Sequence, residues 1–325
     1  VVPVPEVRLD TLAKLVPTER IVPTVIEFVD IAGLVKGASQ GEGLGNQFLN
    51  HIAQVEAVAH VVRCFEDDQV VHVSGSVGPR RDIEIITTEL ALRDLGLVTG
   101  AITRLGKQAK SGDKKAMASV AVSEQVAAAL NQGQAARTVI SRLNPADQEL
   151  VRPLNLLTAK PVLYVANVAE HDLAGQGPMV QTVHEVAAAE GAQMGTICAA
   201  IEAQIASLET DAERTEYLEA VGLQEPGLRR LIRAGYAVLD LITFFTVGPK
   251  EDRAWTIRRG AKAPEAAGKI HSDMARGFIR AVVIGYDDFL ACGSESAARE
   301  QGKLRLEGKE YLVQDGDLMH FRFSV

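Results

Sequence analysis

Short apolar runs rich in β-branched residues recur along the chain. Residues 25–29, 57–65, 161–166 and 196–199 are each nearly continuous in apolar character. Such runs are typical of strands that are covered on both faces, as in parallel sheets. A helical pattern at residues 179–191, closed by a glycine, separates the last two runs. The order strand, helix, strand therefore predicts a parallel α/β sheet.

A second texture occupies residues 83–150, which are rich in Ala, Leu, Glu, Lys and Gln and show no convincing strand. The pattern predicts helices at residues 83–107 and 114–130, which we expect to pair as a helical hairpin. We interpret this region as a helical insertion in the α/β domain.

The third texture follows a helical segment predicted at residues 229–241. Short strand candidates then occur at residues 253–257, 279–284, 309–313 and 318–323. Their spacing predicts a small α+β module at the C terminus. The turn formed by Gln314-Asp315-Gly316-Asp317 indicates that the last two strands pair as a hairpin.

Composition and charge limit the classes of protein to which this chain can belong. The 325 residues hold 34 Lys and Arg against 42 Asp and Glu, a net charge of −8, with 47% hydrophobic residues. These values are typical of two or three globular domains. Residues 240–325 hold 13 basic and 13 acidic residues, so the excess negative charge belongs to the first 239 residues. We therefore expect neither a general polyanion binder nor a DNA-binding protein.

The cysteines and apolar stretches bear on location. Cys64, Cys198 and Cys292 are far apart and fit neither a disulfide framework nor a zinc site. The longest apolar stretch, residues 236–247, contains Asp240 and is too short to cross a bilayer. We expect a cytoplasmic protein with no membrane partner.

The strongest chemical signal lies where the first apolar run ends. Asp30 is followed by Gly33 and by further glycines at positions 37, 41, 43 and 45. A carboxylate at a strand end followed by Asp-x-x-Gly suits a site that holds Mg²⁺ and senses a γ-phosphate through a backbone N–H. The glycines add a loop able to change conformation with nucleotide state. The alternative is a plain glycine-rich surface loop.

Two further strand ends carry candidate base-reading residues. Asn167, Val168 and Glu170 follow the run at residues 161–166, at the edge where α/β sheets bind ligands. Asn167 can pair with the N6 and N7 edge of adenine, and Val168 can cover a base face. Asn167 is equally well explained as a turn former. Cys198, Ala199 and Ala200 end the next run and could supply backbone groups to the base.

The motifs together indicate a family. Residues 28–45, residues 167–170, Trp255 within residues 253–257, and residues 266–271 closely resemble the YchF subfamily of Obg-like P-loop ATPases. The resemblance implies a G domain at residues 1–82 and 151–235, the helical insertion at residues 83–150, and a TGS domain of β-grasp fold at residues 236–325. It also implies a cytosolic, ribosome-associated enzyme that hydrolyses ATP slowly with Mg²⁺, in preference to GTP.

The same resemblance assigns roles to individual residues. Asp30 would bind Mg²⁺ through water, and Gly33 would sense the γ-phosphate. Leu34 takes the place of the water-orienting Gln found in many GTPases. Because an apolar side chain cannot align a water by hydrogen bonding, another donor, a backbone group, an ion or a partner must do so. Asn167, Val168 and Glu170 match the altered specificity loop, in which Val and Glu replace the Lys and Asp of Asn-Lys-x-Asp.

One departure from the family pattern affects catalysis. The sequence contains no Gly-x-x-x-x-Gly-Lys-Ser/Thr, the loop that supplies most phosphate affinity. The family places this loop upstream of Val1, so we expect that the natural protein is longer and that these 325 residues are impaired in ATP hydrolysis. The alternative functions are a non-catalytic ribosome-binding or protein-binding module and a true GTPase.

Residues 250–280 form the candidate RNA contact. They contain eight basic and four acidic residues, together with Trp255 and Phe278. This composition suits a patch for ribosomal RNA. The alternative is a solvated face with Trp255 in the core of the small domain. We expect the protein to be a monomer.

Overall fold

The computed structural model describes the backbone of residues 1–31 and 44–324, and the side chains of residues 1–31 and 49–324. It divides into two compact units, Val29–Val238 and Val1–Phe28 with Leu239–Val325. Residues 1–28 therefore group with the C-terminal region, whereas the predicted domain boundaries assign them to the G domain. The functional boundaries stay a prediction.

The described strands, in chain order, are β1 Val2–Pro3, β2 Ile21–Val22, β3 Val25–Ile26, β4 Val58–Arg63, β5 Val162–Asn167, β6 Gln193–Ile197, β7 Leu241–Thr246, β8 Asp252–Arg258, β9 Phe278–Gly285, β10 Arg305–Glu307 and β11 Asp317–Phe323. The described α-helices are α1 Val7–Leu15, α2 Leu44–Gln54, α3 Pro79–Lys110, α4 Lys114–Asn131, α5 Ala136–Ile140, α6 Pro145–Val151, α7 Pro178–Glu190, α8 Ala199–Ser207, α9 Asp211–Ala220, α10 Gly227–Val238, α11 Ala263–Ile270, α12 Ser272–Arg276, α13 Tyr286–Cys292 and α14 Glu295–Glu300.

The larger unit contains the predicted parallel sheet. Within the described residues its strand order is β4-β5-β6, and both pairings are parallel. The four central residues of β5, from Leu163 to Ala166, are all buried. Helix α7 begins with Pro178 and ends at Gly191, whose φ of 64° lies in the left-handed region that favours glycine. The predicted strand and helix are confirmed, whereas the strand predicted at residues 196–199 lies at Gln193–Ile197 because α8 begins at Ala199.

The helical insertion is also confirmed as two long helices in contact. Helix α4 begins at Asp113, whose carboxylate accepts hydrogen bonds from the backbone N–H groups of Lys115 and Ala116. The core between the helices includes Val98 from α3 and Val126 from α4, both fully buried. Apolar residues at helical spacing therefore hold the hairpin together.

A buried carboxylate links the insertion to the segment that precedes β5. Asp94 on α3 is fully buried and accepts hydrogen bonds from the Leu157 N–H at 2.8 Å and from the N–H and hydroxyl of Thr158 at 2.7 Å each. The Thr158 hydroxyl in turn accepts from the Ala136 N–H at 3.0 Å. Burial raises the pKa of Asp94, although these hydrogen bonds oppose the shift.

The first predicted strand is wrong in its extent. Residues 25–29 were predicted to form a doubly covered strand, but β3 contains two residues and pairs with β1. Val25 and Val29 are 55% and 51% exposed. The ladder is short because Pro3, opposite Val25, has no N–H to donate.

The second unit contains a mixed sheet with the order β10-β9-β11-β7-β8-β2 in the described residues. Strand β11 lies between β7, to which it is parallel, and β9, to which it is antiparallel. A hairpin followed by a helix, with the last strand inserted beside the first, is the β-grasp arrangement. Helix α11 packs on one face through Ala263, Ala266 and Ala267.

Two predictions for the C-terminal part of the chain are wrong. The helix predicted to reach residue 241 ends at Val238, because Asp240 adopts a left-handed φ of 50° and β7 then begins. Residues 309–313 form no strand beyond a single bridge between Leu312 and Lys262. Tyr311 and Val313 instead bond the backbone of residues 261–263, so β11 pairs with β9 rather than with its predicted hairpin partner.

Candidate functional site

The base-reading candidates lie together at the carboxyl ends of β5 and β6. The Asn167 side-chain oxygen accepts a hydrogen bond from the Ala199 N–H at 3.0 Å. The Val168 N–H donates to the Ile197 carbonyl at 2.9 Å. Because the two strands are parallel neighbours, their following loops meet at the edge where α/β sheets bind ligands.

The side chain of Val168 does not lie where a base could stack on it. It is 2% exposed and packs in the core of the larger unit. The prediction that Val168 covers a base face through its side chain is therefore wrong for this structure. The physical reason is that this apolar side chain, just after a strand buried on both faces, joins the core cluster that includes Ala166 and Cys198.

Cys198 and the two alanines contribute backbone rather than side chains. Cys198 is 5% exposed and is the residue at which α8 begins. Ala199 and Ala200 are exposed in the first turn of that helix, where N–H groups have no intrahelical acceptor. Asn167 already accepts from the Ala199 N–H, so the Ala200 N–H is the better placed group for an acceptor on a ligand.

Glu170 is exposed and lies in a 3₁₀ turn that ends at Asp172. Its carboxylate accepts from the Gln204 side-chain amide of α8 at 3.4 Å. The Asp172 carboxylate accepts from the backbone N–H groups of Gln176 and Gly177 at 2.9 and 3.0 Å. This loop is therefore held by a hydrogen bond to α8 at Glu170 and by hydrogen bonds within the loop at Asp172.

Of the three residues predicted to act at the phosphates and Mg²⁺, only Asp30 lies within the described residues. Asp30 is exposed, and the next residue, Ile31, packs against a core that includes Leu49 and Leu157. Gly33 and Leu34 lie outside the described residues. The described residues contain no cluster of three or more His, Cys, Asp or Glu side chains that could hold a metal. A single exposed carboxylate fits Mg²⁺, which is bound through one or two carboxylates plus phosphates and water.

One candidate at this edge was missed by the sequence analysis. The Cys64 N–H after β4 donates to the Asn167 carbonyl at 2.8 Å, so the loop that follows begins beside the candidate base-reading residues. That loop carries His72, whose Nε2 lies 3.1 Å from the Asp82 carboxylate. A search for metal-ligand spacing could not find this histidine. Its position after an apolar strand end was the available signal.

Several basic side chains of the candidate RNA patch, residues 250–280, are already paired within the protein. Among the described contacts, four of its basic residues form ion pairs, namely Arg253, Arg259, Lys262 and Arg276. Trp255 donates to the Thr246 hydroxyl at 2.9 Å and stacks between Phe244 and the Arg253 guanidinium. The indole is thus part of the packing of the small unit, as the alternative interpretation expected. Lys250, Lys269 and Arg280 are exposed.

Within the described residues, no helix has the length and apolar character needed to cross a membrane.

The parallel sheet with its ligand edge, the helical hairpin and the C-terminal β-grasp unit define an Obg-like P-loop GTPase fold. Residues 241–324 match the family model YchF-GTPase_C, described as "Protein of unknown function (DUF933)". The solved structure of the Schizosaccharomyces pombe YchF GTPase superposes with a TM-score of 0.88, at 35% identity over 99% of this chain and 86% of that one.

Two bacterial relatives, each named ribosome-binding ATPase YchF, match the whole chain. The Haemophilus influenzae protein is 53% identical over 325 residues, and the Bacillus subtilis protein is 51% identical over 327 residues. Each alignment covers 100% of this chain and 88% of the relative. The chain belongs to the YchF family.

Proposed function

We propose that this protein is a ribosome-associated nucleoside triphosphatase that binds ATP in preference to GTP, requires Mg²⁺ and turns over slowly. The observation that carries the proposal is the hydrogen bond between Asn167 and the Ala199 N–H, which joins two base-reading loops at the ligand edge of the sheet. The names of the relatives, as ribosome-binding ATPases, support the class of activity and the partner.

The preference for ATP rests on which base edges can be paired. Guanine presents an N1–H and a 2-amino group that a correctly placed carboxylate accepts, whereas adenine presents neither. Glu170 is one methylene longer than the usual Asp and is bonded toward Gln204. Asn167 accepts from Ala199 with its oxygen, which leaves its amide N–H₂ to donate to a purine N7. Nothing in this arrangement favours guanine.

Slow hydrolysis follows from the residue after Gly33. Leu34 offers no hydrogen bond to an attacking water, so the barrier stays high unless another group orients it. His72 is a candidate for that group, since its loop begins at the ligand edge, but only once its ring leaves the Asp82 carboxylate and the Ser74 N–H, which engage Nε2 and Nδ1 in this structure. Asp30 would hold Mg²⁺, which neutralises charge on the phosphates. We expect His72→Ala to lower single-turnover hydrolysis while leaving ATP affinity within about threefold of wild type.

The test is an equilibrium titration of fluorescent ATP and GTP, with Mg²⁺, against the 325-residue chain and against any longer product of the same gene. We propose that the 325-residue chain binds nucleotide weakly, because its sequence has no Gly-x-x-x-x-Gly-Lys-Ser/Thr to cradle phosphates. Preference of the longer product for ATP would support the proposal. Preference for GTP would favour a true GTPase instead.

Failure of both chains to bind either nucleotide would favour the second candidate, a non-catalytic ribosome-binding module. The absent phosphate-loop motif is the observation that keeps this candidate open. For either function we propose a contact with ribosomal RNA through the exposed Lys250, Lys269 and Arg280. Replacing all three by Gln should weaken ribosome co-sedimentation and flatten its salt dependence. Unchanged sedimentation would exclude this patch.

A further inference from the structure

The loop that follows β4 presents two valines almost entirely to solvent. Val71 and Val73 are each 91% exposed, and Val70 beside them is 48% exposed. Between the two valines, His72 turns inward to Asp82. Isolated exposed apolar residues are common on soluble proteins, but adjacent β-branched side chains on one loop form a contiguous patch of the kind that marks interaction surfaces.

Backbone contacts hold this loop in place. The Arg63 guanidinium donates to the carbonyls of Val70 at 2.9 Å and of Asp67 at 3.2 Å. On the other side of the valines, the Ser74 N–H donates to His72 Nδ1 at 3.1 Å, and the Gly75 N–H donates to the His72 carbonyl at 2.9 Å. The valines are therefore fixed in the exposed position by their neighbours, so a partner would not have to order them on binding.

The charge beside the patch indicates what kind of partner fits. Glu66, Asp67 and Asp68 are exposed and directly precede the valines, and residues 64–78 contain no Lys or Arg. The basic side chains on either side are engaged: Arg63 with the Val70 and Asp67 carbonyls, Arg80 with Glu185, and Arg81 with Asp82. A negatively charged apolar surface repels nucleic acid and complements a basic protein surface.

We propose that Val71 and Val73, with Glu66 and Asp68, form the docking surface for a basic ribosomal protein. The proposal rests on the ribosome association given above and assigns to it a protein contact separate from the RNA patch. Apolar contact with the valines supplies affinity, and the carboxylates steer the basic partner and fix its register.

The experiment measures co-sedimentation of the full chain with purified bacterial ribosomes at several salt concentrations. Its first variant is Val71→Ser with Val73→Ser, matched by Val7→Ser, which removes a valine that is 75% exposed on α1. The second is Glu66→Lys with Asp68→Lys. Asp67 is left unchanged because its carboxylate accepts from the Gln69 N–H at 2.8 Å. A third chain carries Val73→p-benzoylphenylalanine for photo-crosslinking to the same ribosomes.

We expect the double serine variant to bind about 10- to 100-fold more weakly, as burial of two valines at an interface predicts, while Val7→Ser binds as wild type. The lysine variant should lose affinity most at low salt. The crosslink should resist ribonuclease, join a basic ribosomal protein and disappear in the lysine background. Equal binding of the serine variant, or a crosslink to RNA, would overturn this inference alone. No sedimentation of the wild type would overturn the ribosome association as well.

Discussion

The hydrogen bond between Asn167 and Ala199 gives a prediction that separates positioning from base recognition. In Asn167→Ala the Ala199 N–H loses its acceptor at 3.0 Å. A net hydrogen bond is worth about 1 kcal/mol, and the exposed setting of Ala199 lets water replace part of it. We therefore expect the free energy of unfolding to fall by roughly 0.5–1 kcal/mol, which lowers Tm by about 1–4 °C for a unit of this size.

Asn167→Asp is the matched variant. Its carboxylate still accepts from the Ala199 N–H, so Tm should stay near that of wild type, but it has no amide to donate to a purine N7. Both variants should therefore weaken ATP binding by about tenfold or more, since a lost donor to the base is worth ~1–3 kcal/mol.

Differential scanning fluorimetry gives Tm, and titration of fluorescent ATP against whichever of the chains titrated above binds ATP more tightly gives affinity. If Asn167→Asp binds ATP as tightly as wild type, Asn167 does not read the base. If Asn167→Ala alone loses affinity, the residue acts only by holding the two loops together.

Three further predictions concern stability. In Gly277→Ala the new Cβ would lie 1.8 Å from the Ser324 carbonyl oxygen, so we expect the free energy of unfolding, measured by urea titration, to fall by about 2–3 kcal/mol. Gly308→Ala is the control: its Cβ would meet nothing within 4 Å, so the same titration should show little change. Asp94→Asn leaves fewer acceptors for three buried donors and should lower the free energy of unfolding by about 2 kcal/mol. Because burial raises the pKa of Asp94, its contribution to stability is largest below the unfolded pKa and is lost as pH rises through the folded pKa. Unfolding curves taken from pH 3 upward should show this pH dependence in the wild type and not in the Asn variant. A stability difference between the two proteins that does not change with pH would contradict this prediction. Burial lowers the pKa of His60 from about 6.5 to about 4, so the free energy of unfolding should fall as pH drops from 6.5 to 4. His60→Phe should remove that part of the acid sensitivity. If both proteins lose the same stability over this pH range, His60 is not its source.

The elements best predicted from sequence are those whose pattern is local. Residues 161–166 and the helix closed by Gly191 were placed within a residue or two, because a continuous apolar run and a left-handed glycine cap are decided by neighbouring residues. The long helices of the insertion followed from composition and helical spacing in the same way. The prediction of a strand at residues 309–313 was wrong because the backbone there bonds to residues 261–263, which are distant in sequence.

The candidate site shows the same division. Sequence placed Asn167, Glu170 and Ala199 at strand ends, and the parallel pairing of β5 with β6 brought them together. It could not show that Val168 points into the core, since an apolar residue just after a strand end can face either the core or a ligand. The roles of Asp30, Gly33 and Leu34 stay predictions.

The class of this protein follows from its sequence alone, because the glycine-rich segment after Asp30, the altered specificity loop and the C-terminal strands are contiguous motifs. How these parts are held depends on contacts that form only in the folded chain. Asp94 on α3 reaches the backbone of residues 157 and 158, and Arg137 on α5 pairs with Glu190, which also accepts from the Tyr164 hydroxyl at 2.9 Å. These contacts join residues tens of positions apart, and their energies come from burial that exists only once the chain has folded.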